Sequence, residues 1–237
     1  MTKFSTSPLY LQVRDNIAER IAAHNWQPNS AIPNETDLAR EMGVSPGTMR
    51  KALDMLEFEG LVTRKQGRGT YINDLMSPAL ASKHSNFRSN KGERQNGDIE
   101  MLSVVEGAAT DAERKRLQLG EQDQVCHVER IRSHMGQRFL FETVSFPASV
   151  FPGLAEGSLA SSSLATIANA YRVLLGKGVE TVSPRVASPS ALSALEIAEG
   201  TPVLVLDRLI SARNGRPLEW RIAESCGASG LEYVVVS

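Results

Sequence analysis

The chain has 237 residues, 41% of them hydrophobic and 22% charged, which is typical of a soluble globular protein long enough for two domains. No apolar run approaches the roughly 20 residues that a membrane helix needs, and residues 1–5 lack the hydrophobic core of a signal peptide. A net charge of −1 argues against a non-specific nucleic-acid coat protein, and the only cysteines, Cys126 and Cys226, have no metal-ligand spacing. A reduced, cytoplasmic setting and two cysteines buried as small hydrophobic residues are therefore expected.

The first 60 residues predict three helices. The first opens at Ser7-Pro8 and carries Leu9, Val13, Ile17 and Ile21 at spacings of four, so it is expected to act as a scaffold. The second starts after Asn34, a suitable N-cap, and ends at Gly43, which suits the left-handed position after a helix. The third starts after Ser45, another good N-cap, with Pro46 in the first helical position. The second and third helices together predict a helix-turn-helix whose second helix enters the DNA major groove.

The third helix has two chemically different faces. Apolar residues recur at helical spacing along one of them: Met49, Ala52, Leu53 and Leu56. The opposite face presents small, hydroxyl and charged groups: Gly47, Thr48, Arg50, Lys51 and Asp54. This helix is expected to pack by its apolar face and to leave the polar face for contacts with bases.

A basic hairpin is predicted directly after this helix. Residues 61–65 and 70–72 are short β-prone runs, joined by Gln66-Gly67-Arg68-Gly69, whose glycines permit the positive φ of a hairpin tip. The hairpin carries Arg64, Lys65 and Arg68, and no acidic residue occurs from 60 to 72. This order predicts a winged helix whose wing contacts phosphates or the minor groove. The alternative is a small α/β unit with a solvated charged hairpin.

These segments together resemble the N-terminal domain of GntR-family bacterial transcription regulators over about residues 7–73. The resemblance is carried by Pro8-Leu9-Tyr10, Leu38-Ala39-Arg40, Gly43-Val44-Ser45, residues 48–53, Glu59-Gly60-Leu61-Val62 and residues 66–71. It implies that Thr48, Arg50, Gln66 and Gly67 contact DNA. The further candidates for DNA binding are Thr36, Arg40, Ser45, Lys51, Arg64, Lys65, Arg68 and Gly69. One departure is Pro46, where many members have arginine, so one cationic contact is missing or supplied elsewhere.

The remainder of the chain predicts a second domain of α+β class. Domain 1–73 is expected to be followed by a linker at 74–85 and by a domain at 86–237. Strands are expected at 99–105, 124–132, 139–146, 179–182, 203–211, 217–225 and 231–236, with a further edge strand beginning near Phe87. Helices are expected at 110–119, 163–171 and 189–197. Hairpin turns at residues 135–137 and at Asn214-Gly215 indicate an antiparallel sheet with inserted helices, which the last strand closes.

Residues 86–237 resemble the UTRA effector-binding domain of the HutC branch of the GntR family, which has a chorismate-lyase-like fold. The resemblance is carried by residues 128–132, Glu142-Thr143, residues 151–154, Ser163-Leu164, residues 200–204 and residues 214–219. It implies a domain that binds anionic metabolites. Residues 225–230 depart from the family, because many relatives carry a tyrosine and an arginine-rich segment there, so relatives do not define the ligand-facing wall.

Six residues are candidates for binding the effector. Arg130 and Arg132 lie two apart on a predicted strand and project from one face, where two guanidiniums repel unless an anion lies between them. Their alternative is to pair with acids such as Glu129 or Glu142, or to face water. The resemblance implies that Glu142 and Glu219 accept hydrogen bonds from the effector, although both could be ordinary surface charges. Ser161 and Ser163, just before a predicted helix, would donate to an anion or merely cap that helix.

The sequence does not indicate catalysis. His24, His84, His127 and His134 have no metal-ligand spacing and no partner in a motif, and no Ser-His-Asp order, phosphate-binding loop or nucleotide fingerprint occurs. We therefore expect no metal, no cofactor and no catalytic residue. The expected function is that of a homodimeric transcriptional regulator, more often a repressor in this family. It would bind a pseudo-palindromic operator in double-stranded DNA under control of a small anionic effector, with no membrane partner. The alternatives are a small-anion lyase or transferase, and a DNA-binding protein that responds to no effector.

Overall fold

The computed structural model describes residues 8–74, 85–228 and 230–235, which divide into two compact units. The first unit holds residues 8–74 together with Arg172–Leu174, and the second holds the other described residues from 85 onward. Most of the predicted linker at 74–85 lies outside the described residues, as do His84 and Val236. Within the described ranges, no helix is both long and apolar enough to cross a membrane.

The first unit has the order of elements that a winged helix-turn-helix requires. Three helices, α1 (Leu9–Ala22), α2 (Glu35–Glu41) and α3 (Pro46–Phe58), precede an antiparallel hairpin of β1 (Val62–Lys65) and β2 (Gly69–Ile72). The predicted helices and wing are therefore confirmed.

Side-chain caps fix the starts of α2 and α3. The Oδ1 of Asn34 accepts a hydrogen bond from the Asp37 N–H at 2.9 Å, and the Oγ of Ser45 accepts one from the Thr48 N–H at 3.2 Å. Gly43, which follows the C-cap residue Met42 of α2, has a φ of +64°, the left-handed conformation that glycine adopts at least cost. Both predicted caps and the predicted stop are confirmed.

The Ser45 cap gives a first testable prediction. Ser45→Ala leaves the Thr48 N–H without its acceptor and should lower the free energy of unfolding of the first unit by about 1 kcal/mol. Ser45→Asn restores an acceptor and should return most of that stability. Urea unfolding followed by Trp26 fluorescence, in a Trp220→Phe background, measures the difference. Equal midpoints for the alanine variant and the parent would show that this cap does not stabilise α3.

The core of the first unit is built from the predicted apolar faces. Met49, Ala52, Leu53 and Leu56 of α3 are all buried, together with Val13, Ile17 and Ile21 of α1 and with Val62 and Ile72 of the hairpin. Leu9, in the first turn of α1, is 53% exposed, so the apolar stripe of this helix is buried only from Val13 onward. The polar face of α3 is thus the face that the core leaves uncovered.

The second unit is organised on a six-stranded antiparallel sheet with the strand order β4-β5-β6-β9-β8-β7. The strands are β4 (Asp98–Ala108), β5 (Gln124–His134), β6 (Gln137–Pro147), β7 (Leu175–Val186), β8 (Pro202–Ala212) and β9 (Pro217–Ser225). This confirms the α+β class and both predicted hairpin turns. The edge strands β4 and β7 are longer than predicted, because their many exposed residues give no apolar alternation to detect.

The last strand does not close this sheet, contrary to the prediction. Strand β10 (Leu231–Tyr233) instead pairs with β3 (Phe87–Ser89) in a separate two-stranded sheet. The Phe87 ring packs edge-on against Phe139 at 5.0 Å and against Tyr233 at 5.3 Å between centroids. Through these aromatic contacts the small sheet packs over a face of the large one. The edge strands of the large sheet are β4 and β7.

Three short helices complete the second unit: α4 (Asp111–Leu117), α5 (Leu164–Ala170) and α6 (Pro189–Leu195). On one face of the sheet, Leu117 of α4 packs with Leu209 and Trp220, and Leu195 of α6 packs with Phe141. The opposite face, where strand register places Arg130 and Glu142, is the face that holds the ligand candidates.

Candidate functional site

The polar face of α3 is accessible, and its side chains are held only by weak interactions. The Arg50 side chain is 68% exposed, and its Nη2 lies 3.0 Å from Glu35 Oε1. The Lys51 Nζ lies 3.9 Å from the centroid of the Tyr10 ring, and the Thr48 hydroxyl lies 2.9 Å from that of Ser45. Exposed ion pairs in water are worth little, so Arg50 can exchange Glu35 for another partner at small cost.

The wing presents an exposed glycine-rich tip. Gly67 and Gly69 have φ values of +70° and +100°, as the hairpin prediction required. The Lys65 Nζ lies 4.4 Å from the Tyr71 ring centroid. Arg64 behaves differently, because it forms an ion pair with Asp54 and its Nη2 donates to the Arg50 carbonyl at 3.1 Å. Arg64 therefore fastens the wing to α3.

The predicted DNA-binding residues lie on the surface of the first unit with two exceptions. Thr48 and Arg64 are half-buried; the exposed members are Thr36, Arg40, Ser45, Arg50, Lys51, Lys65, Gln66, Gly67, Arg68 and Gly69. Arg40 on α2 forms an exposed ion pair with Asp37 at 3.1 Å. A partner approaching α3 and the wing would meet hydroxyl, amide and cationic groups.

In the second unit, strand register collects charged side chains on one face of the large sheet. Residues directly opposite each other on neighbouring strands share a face, and Arg130 lies opposite Glu142, Arg221 opposite Arg208, and Arg208 opposite Glu180. The residues assembled in this way are Arg130, Arg132, Glu142, Glu180, Arg208, Glu219 and Arg221. We call this group the charged face.

Glu142 is the centre of the charged face. It is fully buried and accepts hydrogen bonds from Arg130 Nε, from Arg132 Nε at 2.9 Å and from Arg221 Nη1 at 3.1 Å. Burial alone would raise the pKa of Glu142, but the three guanidiniums outweigh burial and hold this pKa far below its usual value. The anion expected between Arg130 and Arg132 is therefore present as the protein's own Glu142.

Glu219 forms a second buried pair on the same face. Its Oε1 lies 2.8 Å from Arg208 Nη2, while its Oε2 is buried with no hydrogen-bond partner in the described part of the chain. Burial would raise the pKa of Glu219, but Arg208 and Arg221 lower it below its usual value. The alternative that Glu142 and Glu219 are surface charges is wrong, because both are completely buried.

A cavity opens on the charged face. Its polar lining comes from Arg130, Arg132, Glu180, Arg208 and Arg221 of the large sheet, from Ser163, and from Ser85, Asn86, Asn96 and Tyr233. Ser163 also caps α5 by accepting from the Thr166 N–H at 3.2 Å. Ser161 donates to the Ser158 carbonyl at 2.6 Å and does not line the cavity. Glu142 and Glu219 lie beneath the lining residues and likewise do not line it.

Comparison with known families agrees with both units. Residues 9–72 match the bacterial regulatory proteins of the gntR family, and residues 93–223 match the UTRA domain. The chain belongs to the GntR family. It is a GntR transcriptional regulator with a C-terminal UTRA domain, as the resemblance to the HutC branch predicted.

Individual relatives are similar over most of their length. The chain is 27% identical to the mannosyl-D-glycerate transport/metabolism system repressor MngR of Escherichia coli over 200 residues, which cover 83% of this chain and 82% of that protein. It is 25% identical to the histidine utilization repressor of Pseudomonas putida over 208 residues, covering 85% and 82%. The crystal structure of the possible transcriptional regulator YydK of Bacillus subtilis shares the fold, with a TM-score of 0.58, 19% identity and coverage of 98% and 100%.

The cavity of this regulator includes residues that the sequence analysis missed. Arg221 lies two positions after Glu219 on β9, so the same alternation that linked Arg130 to Arg132 could have identified it. Glu180 and Tyr233 gave no comparable signal, because only the pairing of β7 with β8 and of β10 with β3 brings them to the cavity.

Two smaller expectations need correction. His127 has a carboxylate partner, since its Nε2 lies 2.9 Å from Glu113 Oε1, which also accepts from Ser145 Oγ at 2.6 Å. Cys126 is buried as expected, and burial together with the negative charge of Glu106 raises the pKa of its thiol to about 11. Cys226, in contrast, is only half-buried.

Within the described ranges, no group of three or more histidine, cysteine or acidic side chains is placed to hold a metal ion.

Proposed function

We propose that this GntR regulator is a cytoplasmic, homodimeric repressor that binds a two-fold symmetric operator in double-stranded DNA and releases it when a small anionic effector binds the UTRA domain. The observation that carries the proposal is the match of residues 9–72 to the gntR family, because the same residues form the exposed polar face of α3 and the glycine-rich wing. Named relatives of similar length are repressors, which supports the sign of regulation.

In the proposed complex, base recognition comes from the N-terminal half of α3. Thr48 and Arg50 face the major groove, and the fork of the Arg50 guanidinium suits the O6 and N7 of guanine. Lys51, Lys65 and Arg68 contact phosphates, whereas Arg64 orients the wing through its ion pair with Asp54. Residues 1–75 carry equal numbers of basic and acidic side chains, so affinity depends on this local patch and on its doubling in a dimer. Binding should therefore weaken steeply as salt rises.

The dimer is proposed to form along strand β7. This edge strand is 12 residues long, and large apolar side chains are exposed on it or beside it: Val179, Val182, Val186 and Leu204. A long edge strand that exposes apolar side chains is a template for pairing with another chain, and two-fold related copies can pair it antiparallel. A second copy of this chain, paired along β7, would also supply the second DNA-binding unit that a two-fold symmetric operator requires.

The cavity supports an effector site better than an enzyme active site. A general acid or base works best with a pKa near the operating pH. The carboxyl groups of Glu142 and Glu219 have pKa values below the usual range because arginines surround them. Four guanidiniums line the cavity, and such groups bind phosphate or carboxylate through paired N–H donors. We therefore propose anion binding without turnover.

The base-reading role of Arg50 is tested by substitution. Arg50→Ala should weaken operator binding by about 1–3 kcal/mol and relax the base preference at one position of each half-site. Arg50→Lys keeps the charge but loses the guanidinium fork, so it should retain affinity for random DNA and lose discrimination. Fluorescence anisotropy with operator and random duplexes at one fixed salt concentration measures both effects. Equal weakening of Arg50→Ala on the two duplexes would count against base reading.

A further inference from the structure

The charged face holds more cationic groups than one ligand anion needs. Arg130 and Arg132 come from β5, whereas Arg221 comes from β9, two strands away, with Arg208 directly opposite it on β8. Like charges directly opposite each other on neighbouring strands are destabilising unless an anion lies near them. All four guanidiniums line the same cavity. We propose that the effector carries two anionic groups, one bound by Arg130 and Arg132 and the other by Arg221 beside Arg208.

This inference rests on the proposed function, and the charges around Arg221 support it. Three guanidiniums, those of Arg130, Arg132 and Arg221, share the carboxylates of Glu142 and Glu180, which leaves one positive charge in excess. Burial and the positive charges of Arg130 and Arg221 lower the pKa of Arg132 to about 10, against the attraction of Glu142. The Nε of Arg221 is also buried without a hydrogen-bond partner in the described residues. Arg221 therefore has capacity for a further anion.

Glu180 is the carboxylate that a ligand can replace. Its side chain is 13% exposed and lines the cavity, whereas Glu142 is completely buried beneath the lining. Glu180 Oε2 lies 3.0 Å from Arg221 Nη2, while its Oε1 accepts from the Tyr233 hydroxyl and from Asn86 Nδ2. Burial and the bond to Glu180 raise the pKa of Tyr233 to about 12, so this hydroxyl stays protonated. When Glu180 turns outward, the guanidiniums of Arg130, Arg132 and Arg221 are left with only the carboxylate of Glu142. Two ligand anions then bring the net charge of the group back to zero.

The geometry also limits the size of the effector. Arg130, Arg132 and Arg221 all contact the two oxygens of the single Glu142 carboxylate, so their guanidinium groups converge. The two anion positions are therefore close, and the ligand anions are joined by only a few covalent bonds. This describes a compact dicarboxylate, or a phosphorylated hydroxy acid or sugar acid.

The test compares full-length protein binding to compounds that differ by one anionic group. Suitable pairs are glycerol 3-phosphate with 3-phosphoglycerate and butyrate with succinate, each measured by isothermal titration calorimetry. In at least one pair, the compound with two anionic groups should bind at least about tenfold more tightly, the worth of one charged hydrogen bond. Arg221→Gln should abolish that difference, and Arg130→Gln should weaken the binding of both members.

Glu180→Gln provides a second test in case Arg221→Gln does not fold. The amide oxygen can still accept from Tyr233 and Asn86. Without a negative charge the side chain competes less with a ligand anion for Arg221, so the compound with two anionic groups should bind more tightly to this variant than to the parent. Equal affinity within every pair, with no effect of Glu180→Gln, would overturn the second anion position and leave a singly anionic effector in place. Absence of binding by every compound would overturn the proposed effector function itself, and with it this inference.

Discussion

Replacing Glu142 by glutamine is expected to lower the free energy of unfolding of the second unit by about 3–5 kcal/mol, the usual cost of removing one partner from a buried ion pair. The substitution preserves volume but leaves Arg130, Arg132 and Arg221 without the carboxylate that they share. Urea unfolding followed by Trp220 fluorescence in a Trp26→Phe background isolates this unit. Since Glu199 is exposed, Glu199→Gln is the matched control and should change stability little.

The pH dependence gives this prediction a second readout. The pKa of Glu142 lies far below its value in the unfolded chain, which is about 4.3 for glutamate. At lower pH the unfolded chain takes up a proton that the folded state does not bind. The stability from Glu142 is therefore complete above the unfolded pKa and is lost as pH falls below it. The stability of the parent should fall more steeply than that of Glu142→Gln on acidification, and parallel slopes would contradict the account.

The second large effect is expected in the first unit. Leu53 of α3 is buried at the centre of the three-helix core, so Leu53→Ala should lower the free energy of unfolding of this unit by about 2–5 kcal/mol. Phe58 lies on the same helix but is 89% exposed, and Phe58→Ala is the matched control. Trp26 fluorescence in a Trp220→Phe background follows the transition.

The functional consequence of Leu53→Ala should be confined to DNA binding. Because the effector cavity is formed by residues of the second unit, anion binding should keep its affinity while operator affinity falls. Equal destabilisation by Phe58→Ala would contradict the packing described for α3. Loss of anion binding in Leu53→Ala would contradict the independence of the cavity from the first unit.

Features with local causes could be predicted from the sequence. The caps at Asn34, Ser45 and Thr110 bond to groups three residues away, and the stripe from Met49 to Leu56 follows helical geometry alone. The hairpin turns could be predicted from their glycine and asparagine residues. The pairing of β10 with β3 could not be predicted in this way, because Phe87 pairs with Tyr233, 146 positions later, and only tertiary contacts join these segments.

The same distinction between local and tertiary causes applies to the candidate site. Alternation on β5 predicted that Arg130 and Arg132 share a face, and β9 offered the same signal for Arg221. That Glu142 would be held by three arginines depended on the register of β6 with both neighbours, which the sequence of one strand does not contain. Glu180 reaches the cavity from the edge strand β7. The length of this strand could not be predicted, because most of its residues are exposed.

The most direct test of the central claim is selection of bound sequences from a randomised duplex library by the full-length protein at low salt. Two inverted half-sites whose centres lie about 10 base pairs, or a multiple of that, apart should be enriched. Arg50→Ala should lose one guanine preference in each half-site. Failure to enrich any sequence, or enrichment of a single site that Arg50→Ala leaves unchanged, would contradict recognition of DNA by α3 and the wing.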